Sequence, residues 1–130
     1  DILMSSAMSK INNVKDLQNT NVVKVVTDLH NNALFFSRSL IPFPRDVKEI
    51  STAKEVLEKC QFYRHIGIYG YRKDFLLKFV NMEQSYLEKV EKLEQLRALE
   101  NGFKIKMIEA NSSLIGIDTR EDYEEALKKY

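Results

Sequence analysis

The chain has 130 residues, of which 44% are hydrophobic and 30% charged, a composition that predicts one globular domain of modest size. Its 20 basic and 19 acidic residues give a net charge of +1, which does not supply the concentrated cationic surface that nucleic-acid binding requires. One cysteine, two histidines and no apolar run near the ~18 residues of a membrane span point to a cytoplasmic protein without disulfides, structural zinc or a membrane span.

The first half of the chain predicts a hairpin followed by a loop. It begins at Asp1 without an initiator methionine, so we expect part of a longer protein. Residues 22–26 are rich in β-branched side chains and residues 33–36 are apolar, which predicts two strands over 22–26 and 33–38 joined by turn-forming residues 28–32. Two prolines two positions apart predict an ordered loop over residues 41–46. Residues 46–59 alternate in charge without a strong apolar stripe, which predicts a loosely packed helix.

The second half alternates strands with helices. Residues 62–71 predict a strand whose two glycines indicate the close approach of another backbone or a ligand, and residues 104–108 predict another strand. Helices are expected at 73–80, at 87–101 with a Glu88–Lys92 pair and a stop at Gly102, and at 119–129 with Thr119 as N-cap and Asp122 completing a capping box. This alternation favours an α/β layer architecture.

Two arginines flank the proline-rich loop. Arg38 and Arg45 could hold two guanidinium groups against an anion, since each planar guanidinium group can donate two parallel hydrogen bonds to a carboxylate or a phosphate. The alternative is that both pair with surface acids such as Asp46 and Glu49, and the residues alone favour that alternative.

Three further groups could carry chemistry. His65 and Tyr69 lie four apart on one face of a strand, where they could line a sugar pocket or simply belong to the core. Glu94 and Gln95 are expected on the long helix, with Glu94 at the margin of its apolar sector, where a carboxylate needs a partner, although most such acids are solvated. Asp118 precedes the last helix and is a plausible Mg²⁺ ligand or a helix cap.

Taken in order, the motifs resemble a known family. They are Phe-Ser-Arg at residues 36–38 with Ile-Pro at 41–42 and Arg45, His-Ile-Gly-Ile-Tyr-Gly-Tyr-Arg at 65–72, Leu-Glu-Gln-Leu-Arg at 93–97 and Gly-Ile-Asp-Thr at 116–119. With Asn-Val-Val-Lys-Val-Val at 21–26, this set is similar to the C-terminal half of the CMP-KDO synthetases, the 3-deoxy-manno-octulosonate cytidylyltransferases. The resemblance covers essentially the whole chain.

The resemblance implies a nucleotide-diphospho-sugar transferase fold, a Rossmann-like α/β sandwich whose N-terminal half is absent here, with residues 1–130 forming the C-terminal half of one domain. It implies a homodimeric enzyme of lipopolysaccharide synthesis that joins CTP and KDO to give CMP-KDO and pyrophosphate. His65, Tyr69, Glu94 and Gln95 would bind the sugar acid. Arg38 and Arg45 would face its carboxylate or the phosphates, and Asp118 would act in catalysis as a Mg²⁺ ligand.

Two departures from the family pattern bear on activity. Arg120 stands where the family usually has proline, and the family's CTP-binding loop is not in this sequence, so we expect the isolated chain to be inactive. Two other interpretations stay open at this stage. One is a non-catalytic dimerisation module, and the other is a cytidylyltransferase for another sialic-acid-like sugar acid.

Overall fold

The computed structural model describes residues 1–47, 54–111, 117 and 119–129. The strands and helices of these residues, in chain order, are β1 Met4–Lys10, α1 Val14–Gln18, β2 Lys24–Thr27, β3 Ala33–Ser37, α2 Lys54–Lys59, β4 Tyr63–Tyr71, α3 Lys73–Val80, α4 Tyr86–Glu91, α5 Leu96–Glu100, β5 Ile105–Glu109 and α6 Arg120–Lys129.

The strands form one sheet in the order β3-β2-β4-β1-β5. β1 runs parallel to β5 and antiparallel to β4, and β2 is antiparallel to both β3 and β4. The predicted hairpin is confirmed, since β2 and β3 pair directly across a turn in which the Asp28 carboxylate accepts from the backbone N–H groups of His30 and Asn32, each at 2.8 Å. Helices packed on a mixed sheet confirm the α/β class.

Two apolar cores hold the elements together. The larger one joins the sheet to α3 and α5, and removing each such side chain from water contributes about 1.5–3 kcal/mol. Its most buried members include Met4, Phe36, Phe79, Leu96 and Ile105. The smaller core joins α1 and α2 to the sheet through Ile11, Leu17, Val22, Val56 and Phe62. Because Val56 is fully buried, the described part of the expected loosely packed helix is in fact anchored.

The prediction of a single helix over residues 87–101 is wrong, because the segment forms two short helices. Lys92 adopts a left-handed backbone conformation with φ 55°, which ends α4, and α5 begins only at Leu96. Lys92 is therefore outside the helix, and the expected Glu88–Lys92 pair does not form. The stop at Gly102 is confirmed, because this residue has φ 81° just after α5, a conformation that glycine adopts without steric cost.

Other elements confirm or extend the predictions. The helix at Lys73–Val80 is confirmed, the loop at residues 41–46 carries no regular element, and the strands and last helix lie within two residues of their expected bounds. The sequence interpretation missed β1 and α1 altogether. Of the helix expected at 46–59, residues 48–53 lie outside the described part of the chain.

At one of the two glycines of β4 a side chain comes close, where the sequence predicted another backbone or a ligand. A Cβ added at Gly70 would lie 2.6 Å from the Ser5 Oγ on β1, whereas a Cβ at Gly67 would meet no atom within 4 Å. Gly67 instead lies in a bulge, because the β1–β4 register shifts between Ser6 and Ala7 and leaves Gly67 and Ile68 as extra residues on β4.

Candidate functional site

Four polar side chains meet where the middle of the sheet faces the α4–α5 connection. His65 Nε2 lies 2.7 Å from the Ser6 Oγ on β1, and His65 Nδ1 lies 3.4 Å from the Gln95 Nε2. The Tyr69 hydroxyl donates to the Gln95 Oε1 at 3.3 Å. Three of the residues predicted for the sugar acid are therefore in direct contact. We call Ser6, His65, Tyr69 and Gln95 the polar chain.

Aromatic rings enclose His65 on the sheet. The Phe36 ring packs edge-on at 4.8 Å between centroids and the Tyr69 ring at 5.5 Å. The backbone N–H of His65 donates to Val23 O at 2.8 Å, which ties this residue to the segment before β2. Burial lowers the pKa of His65 from 6.5 to about 4, because little water remains to solvate an imidazolium. The ring is therefore neutral near pH 7.

Tyr69 is a half-buried phenol that stays protonated. Burial raises its pKa above the ordinary value of 10, and the charges of Tyr71 and Glu94 raise it further. Its ring stacks on that of Tyr71 with centroids 5.9 Å apart. The hydroxyl is thus available as a hydrogen-bond donor and acceptor, and it is not an acid or a nucleophile at neutral pH.

Glu94 and Gln95 occupy different environments, although they are neighbours. Gln95 is only 4% exposed and precedes α5, whereas Glu94 is exposed in the turn between α4 and α5. Glu94 is therefore not at the margin of a helix, and the expected cost of burying its carboxylate does not arise. It lines an open cavity of about 420 Å³ together with residues that include Lys89, Lys92 and Arg97. A ligand in that cavity would meet the negative charge of Glu94 and the positive charges of Lys89 and Lys92.

A buried ion pair braces the turn that carries Glu94 and Gln95. Arg97 Nη2 and Nε donate to the two carboxylate oxygens of Glu88 at 2.5 and 2.9 Å, and the guanidinium lies 5.0 Å over the Phe79 ring. The pair lowers the pKa of Glu88, and the same hydrogen bond raises the pKa of Arg97. The motif at 93–97 contained Arg97, but nothing in a single sequence identified its partner.

The guanidinium of Arg38 is hydrogen-bonded to the backbone in this structure. Its guanidinium donates to three carbonyl oxygens, those of Glu91 at 2.7 Å, Thr20 at 3.0 Å and Lys92 at 3.4 Å. Its backbone N–H and the Ser37 hydroxyl both donate to the Glu91 carboxylate. The bonds of the guanidinium engage Nε, Nη1 and Nη2 with backbone carbonyl oxygens, and a contact of Arg38 with the ligand stays a prediction. Arg38 caps the end of α4.

Arg45 differs from Arg38, because its side chain is exposed in the loop after the buried Pro44. In the described part of the chain neither arginine forms an ion pair with a carboxylate, so the expected pairing with Asp46 is not seen. Glu49, the other expected partner, lies outside the described residues. Of these two arginines, Arg45 is thus the exposed one, and it has no ion pair among the described residues.

Lys24 is a buried charge that the sequence interpretation did not single out. Its ammonium is fully buried and donates to the carbonyl oxygens of Asn19 at 2.8 Å and Arg38 at 3.0 Å. Desolvation lowers its pKa. Because Lys24 holds the backbone carbonyl group of Arg38, the two residues together position the start of the loop that leads to Arg45.

The expected metal ligand, Asp118, lies outside the described residues. Its neighbour Thr119 confirms the predicted cap, since Asp122 N donates to the Thr119 Oγ1 at 3.1 Å and Thr119 N donates to the Asp122 Oδ2 at 2.9 Å. Among residues 1–47, 54–111, 117 and 119–129, no three acidic, histidine or cysteine side chains are grouped as a metal site. Nor does that part of the chain contain a helix long and apolar enough to cross a membrane.

Known proteins share both the sequence and the fold. The 3-deoxy-manno-octulosonate cytidylyltransferase of Fusobacterium nucleatum is 44% identical over 98% of this chain and 48% of its own length. That of Geobacter sulfurreducens is 45% identical over 98% of this chain and 52% of its own length. A solved structure of CMP:2-keto-3-deoxy-manno-octonic acid synthetase with CTP superposes with a TM-score of 0.79 at 32% identity, over 98% of this chain and 49% of that one.

These matches extend over nearly the whole chain but not over the whole of the matched proteins. The chain spans about half the length of the curated relatives it matches. A family model described as cytidylyltransferase matches residues 3–107, which include the polar chain and all strands of the sheet except the last two residues of β5. The chain therefore belongs to the cytidylyltransferase family.

Proposed function

We propose that the protein containing this chain activates KDO with CTP, giving CMP-KDO and pyrophosphate for lipopolysaccharide synthesis. Relatives at 44–45% identity carry the name 3-deoxy-manno-octulosonate cytidylyltransferase, which favours KDO over another sugar acid. The observation that carries the proposal is the contact between His65, Tyr69 and Gln95, because the resemblance assigns these three to the sugar acid and the fold brings them together. A non-catalytic dimerisation module would not need this polar chain.

The polar chain supplies neutral hydrogen-bond partners to a polyhydroxylated ligand. The Tyr69 phenol and the second N–H of the Gln95 amide are the groups with unused bonding capacity, and the exposed Glu94 carboxylate accepts from hydroxyl groups. These partners are fixed before the ligand arrives, so little free energy is spent on ordering them. This fits a site that orients the sugar and does not itself bond covalently to it.

Two cations have separate roles in the proposal. Arg45, exposed in the loop, is the group that would face the sugar carboxylate or the phosphates. Arg38 would act indirectly, because its contacts with the carbonyl oxygens of Glu91 and Lys92 hold the end of α4 and hence the turn that carries Glu94.

The reaction itself is an in-line attack of the anomeric hydroxyl of KDO on the α-phosphorus of CTP, with pyrophosphate leaving. Bound Mg²⁺ would neutralise charge on the triphosphate, and Asp118 is the carboxylate of this chain proposed to hold it. The task of the described residues is to hold the sugar acid so that its hydroxyl points at the phosphorus. We also propose a cytoplasmic homodimer, which the resemblance supports.

Substituting the phenol tests the site. In the full-length protein, Tyr69→Phe is expected to raise KM for KDO about tenfold with little change in KM for CTP, because one hydrogen bond near the ligand is lost. Tyr86→Phe is the matched control, since Tyr86 is a solvent-exposed tyrosine on α4. Unchanged KM for KDO in Tyr69→Phe, or a better rate with another sugar acid than with KDO, would contradict the proposal.

A further inference from the structure

The polar chain begins on a residue that the resemblance does not assign to the ligand. Ser6 lies in the middle of β1, is 3% exposed, and is separated from His65 by 59 residues of sequence. Its hydroxyl is close to three acceptors or donors: His65 Nε2 at 2.7 Å, Ile68 O at 2.8 Å and Ile66 O at 3.2 Å. These contacts lie at the bulge of β4, where Gly67 and Ile68 are extra residues between the partners of Ala7 and Ser6.

The hydroxyl of Ser6 has one proton, and the carbonyl groups decide where it goes. A carbonyl oxygen can only accept, and two oxygen atoms 2.8 Å apart repel each other unless a proton lies between them. The Ser6 O–H therefore donates to Ile68 O, with Ile66 O as a weaker second acceptor. The Ser6 oxygen then has only lone pairs to offer to His65. His65 must therefore carry its proton on Nε2 and donate to Ser6.

The position of this proton also determines the direction of the hydrogen bonds at Gln95 and Tyr69, at the other end of the polar chain. With Nε2 protonated and the ring neutral, His65 Nδ1 is an acceptor, so the nitrogen of the Gln95 amide and not its oxygen must face it. The Gln95 oxygen then faces Tyr69 and accepts the phenol proton. Every hydrogen bond runs in one direction, from Tyr69 through Gln95 and His65 to Ser6 and Ile68 O.

We propose that Ser6 is a positioning residue for the sugar-acid site, because its hydroxyl selects the His65 tautomer and thereby the orientation of the Gln95 amide. The inference rests on the proposed function, since it is KDO that the oriented amide and phenol would meet. Ser6 itself does not touch the ligand. Its effect passes through two side chains that are already placed by the sheet and by α5.

Removing the hydroxyl should change the tautomer. In Ser6→Ala the Nε2–H loses its acceptor, whereas a proton on Nδ1 could donate to the Gln95 oxygen after the amide turns over, which leaves the Tyr69 hydroxyl facing an NH₂ group. Nitrogen-15 spectra of the imidazole in the full-length protein distinguish the two tautomers. We expect mostly Nε2–H in the wild type and a majority of Nδ1–H in Ser6→Ala.

The kinetic consequence should be confined to the sugar. Ser6→Ala is expected to raise KM for KDO about tenfold, with KM for CTP unchanged and kcat changed less than threefold, because one hydrogen bond to the ligand is misdirected. Ser6→Thr retains a hydroxyl on a β-branched side chain suited to a strand and should restore both the tautomer and KM. Ser9→Ala is the matched control, since Ser9 is equally buried on β1 but pairs with Arg64.

The outcomes separate the two proposals. If wild-type turnover of KDO is normal but Ser6→Ala keeps the Nε2–H tautomer and the wild-type KM, the role of Ser6 is overturned. Identical loss in Ser6→Thr and Ser6→Ala would trace the effect to packing and would also overturn it. Absence of KDO-dependent turnover in the wild type overturns the proposed function, and with it any role of Ser6 in sugar binding.

Discussion

His65 lies between the rings of Phe36 and Tyr69, in a place where burial makes the imidazolium unfavourable. Ordinary imidazole, with a pKa near 6.5, changes charge close to neutral pH. In this site the same side chain is a fixed neutral relay between a serine hydroxyl and a glutamine amide. The environment, and not the residue type, determines what the histidine can do.

Stability should therefore fall on acidification before the carboxylates titrate. The pKa of His65 is about 4 in the folded protein and 6.5 in the unfolded chain, so the unfolded chain binds the proton first as the pH falls. The free energy of unfolding is expected to drop by roughly 3 kcal/mol between pH 6.5 and pH 4. Carboxylates with a lowered pKa, such as Glu88, contribute their loss only below about pH 4.5. Urea unfolding at a series of pH values measures both regions.

A variant without the imidazole separates this contribution from the rest. His65→Gln has no titrating group, so its free energy of unfolding should be nearly flat between pH 6.5 and pH 4.5. An equal slope in the wild type and in His65→Gln would show that His65 does not carry the effect.

At the same scale, the sequence predicted some partners and could not predict others. His65 and Tyr69 share one strand, so their even spacing was enough to place them together. Gln95 lies 30 residues from His65, and only the resemblance placed it in the same predicted site. Ser6 lies 59 residues from His65, and the residues alone did not show that β1 pairs with β4. Ser6 was missed for this reason. The backbone contacts of Arg38 were not foreseen either, because the carbonyl groups that it caps lie at the end of α4, where the expected helix breaks.

At the scale of the elements, the break between α4 and α5 determines how Glu94 and Gln95 are presented. The apolar residues of the expected helix are spaced every three positions, at Leu87, Val90, Leu93, Leu96 and Leu99. At about 100° per residue, each step of three falls about 60° short of a full turn, so the series winds around a helix and does not stay on one face. Splitting the segment at Lys92 lets Leu93 and Leu96 both reach the core, while Val90 is exposed. The spacing of three residues therefore indicated a break in the helix, whereas the number of apolar residues in the segment did not.

The Glu88–Arg97 pair holds the two short helices together, and its loss should be costly. Arg97→Met leaves the Glu88 carboxylate buried without its partner, so we expect the free energy of unfolding to fall by about 3–5 kcal/mol. The double variant Glu88→Leu with Arg97→Met should recover much of this loss, because no uncompensated charge remains. Urea unfolding of the three proteins measures both effects.

Arg120, an exposed arginine that also pairs with a glutamate, provides the control for Arg97→Met. Arg120 lies 3.5 Å from Glu124 on α6 with most of its side chain in water, so Arg120→Met should change the free energy of unfolding by less than about 1 kcal/mol. A loss in Arg97→Met no larger than that in Arg120→Met would contradict the bracing role of the buried pair.

At the scale of the whole molecule, alternation of strands and helices indicated the α/β class, but the sheet order did not follow from it. β1 pairs with both β4 and β5 and is second from one edge, yet its sequence, Met-Ser-Ser-Ala-Met-Ser-Lys, has few β-branched or aromatic residues and was not recognised as a strand. Its burial comes from tertiary packing of Met4 and Met8. This strand also supplies Ser6. Because β1 was not recognised as a strand, Ser6 was not recognised as part of the site.

The polar chain is proposed to serve KDO activation by CTP. Pyrophosphate release from CTP by the full-length protein in the presence of Mg²⁺, measured with and without KDO, tests this role. We predict release that requires KDO, yields CMP-KDO in equal amount, and falls at sub-saturating KDO in Tyr69→Phe but not in Tyr86→Phe. Release that does not depend on KDO, or no release under any of these conditions, would contradict the claim.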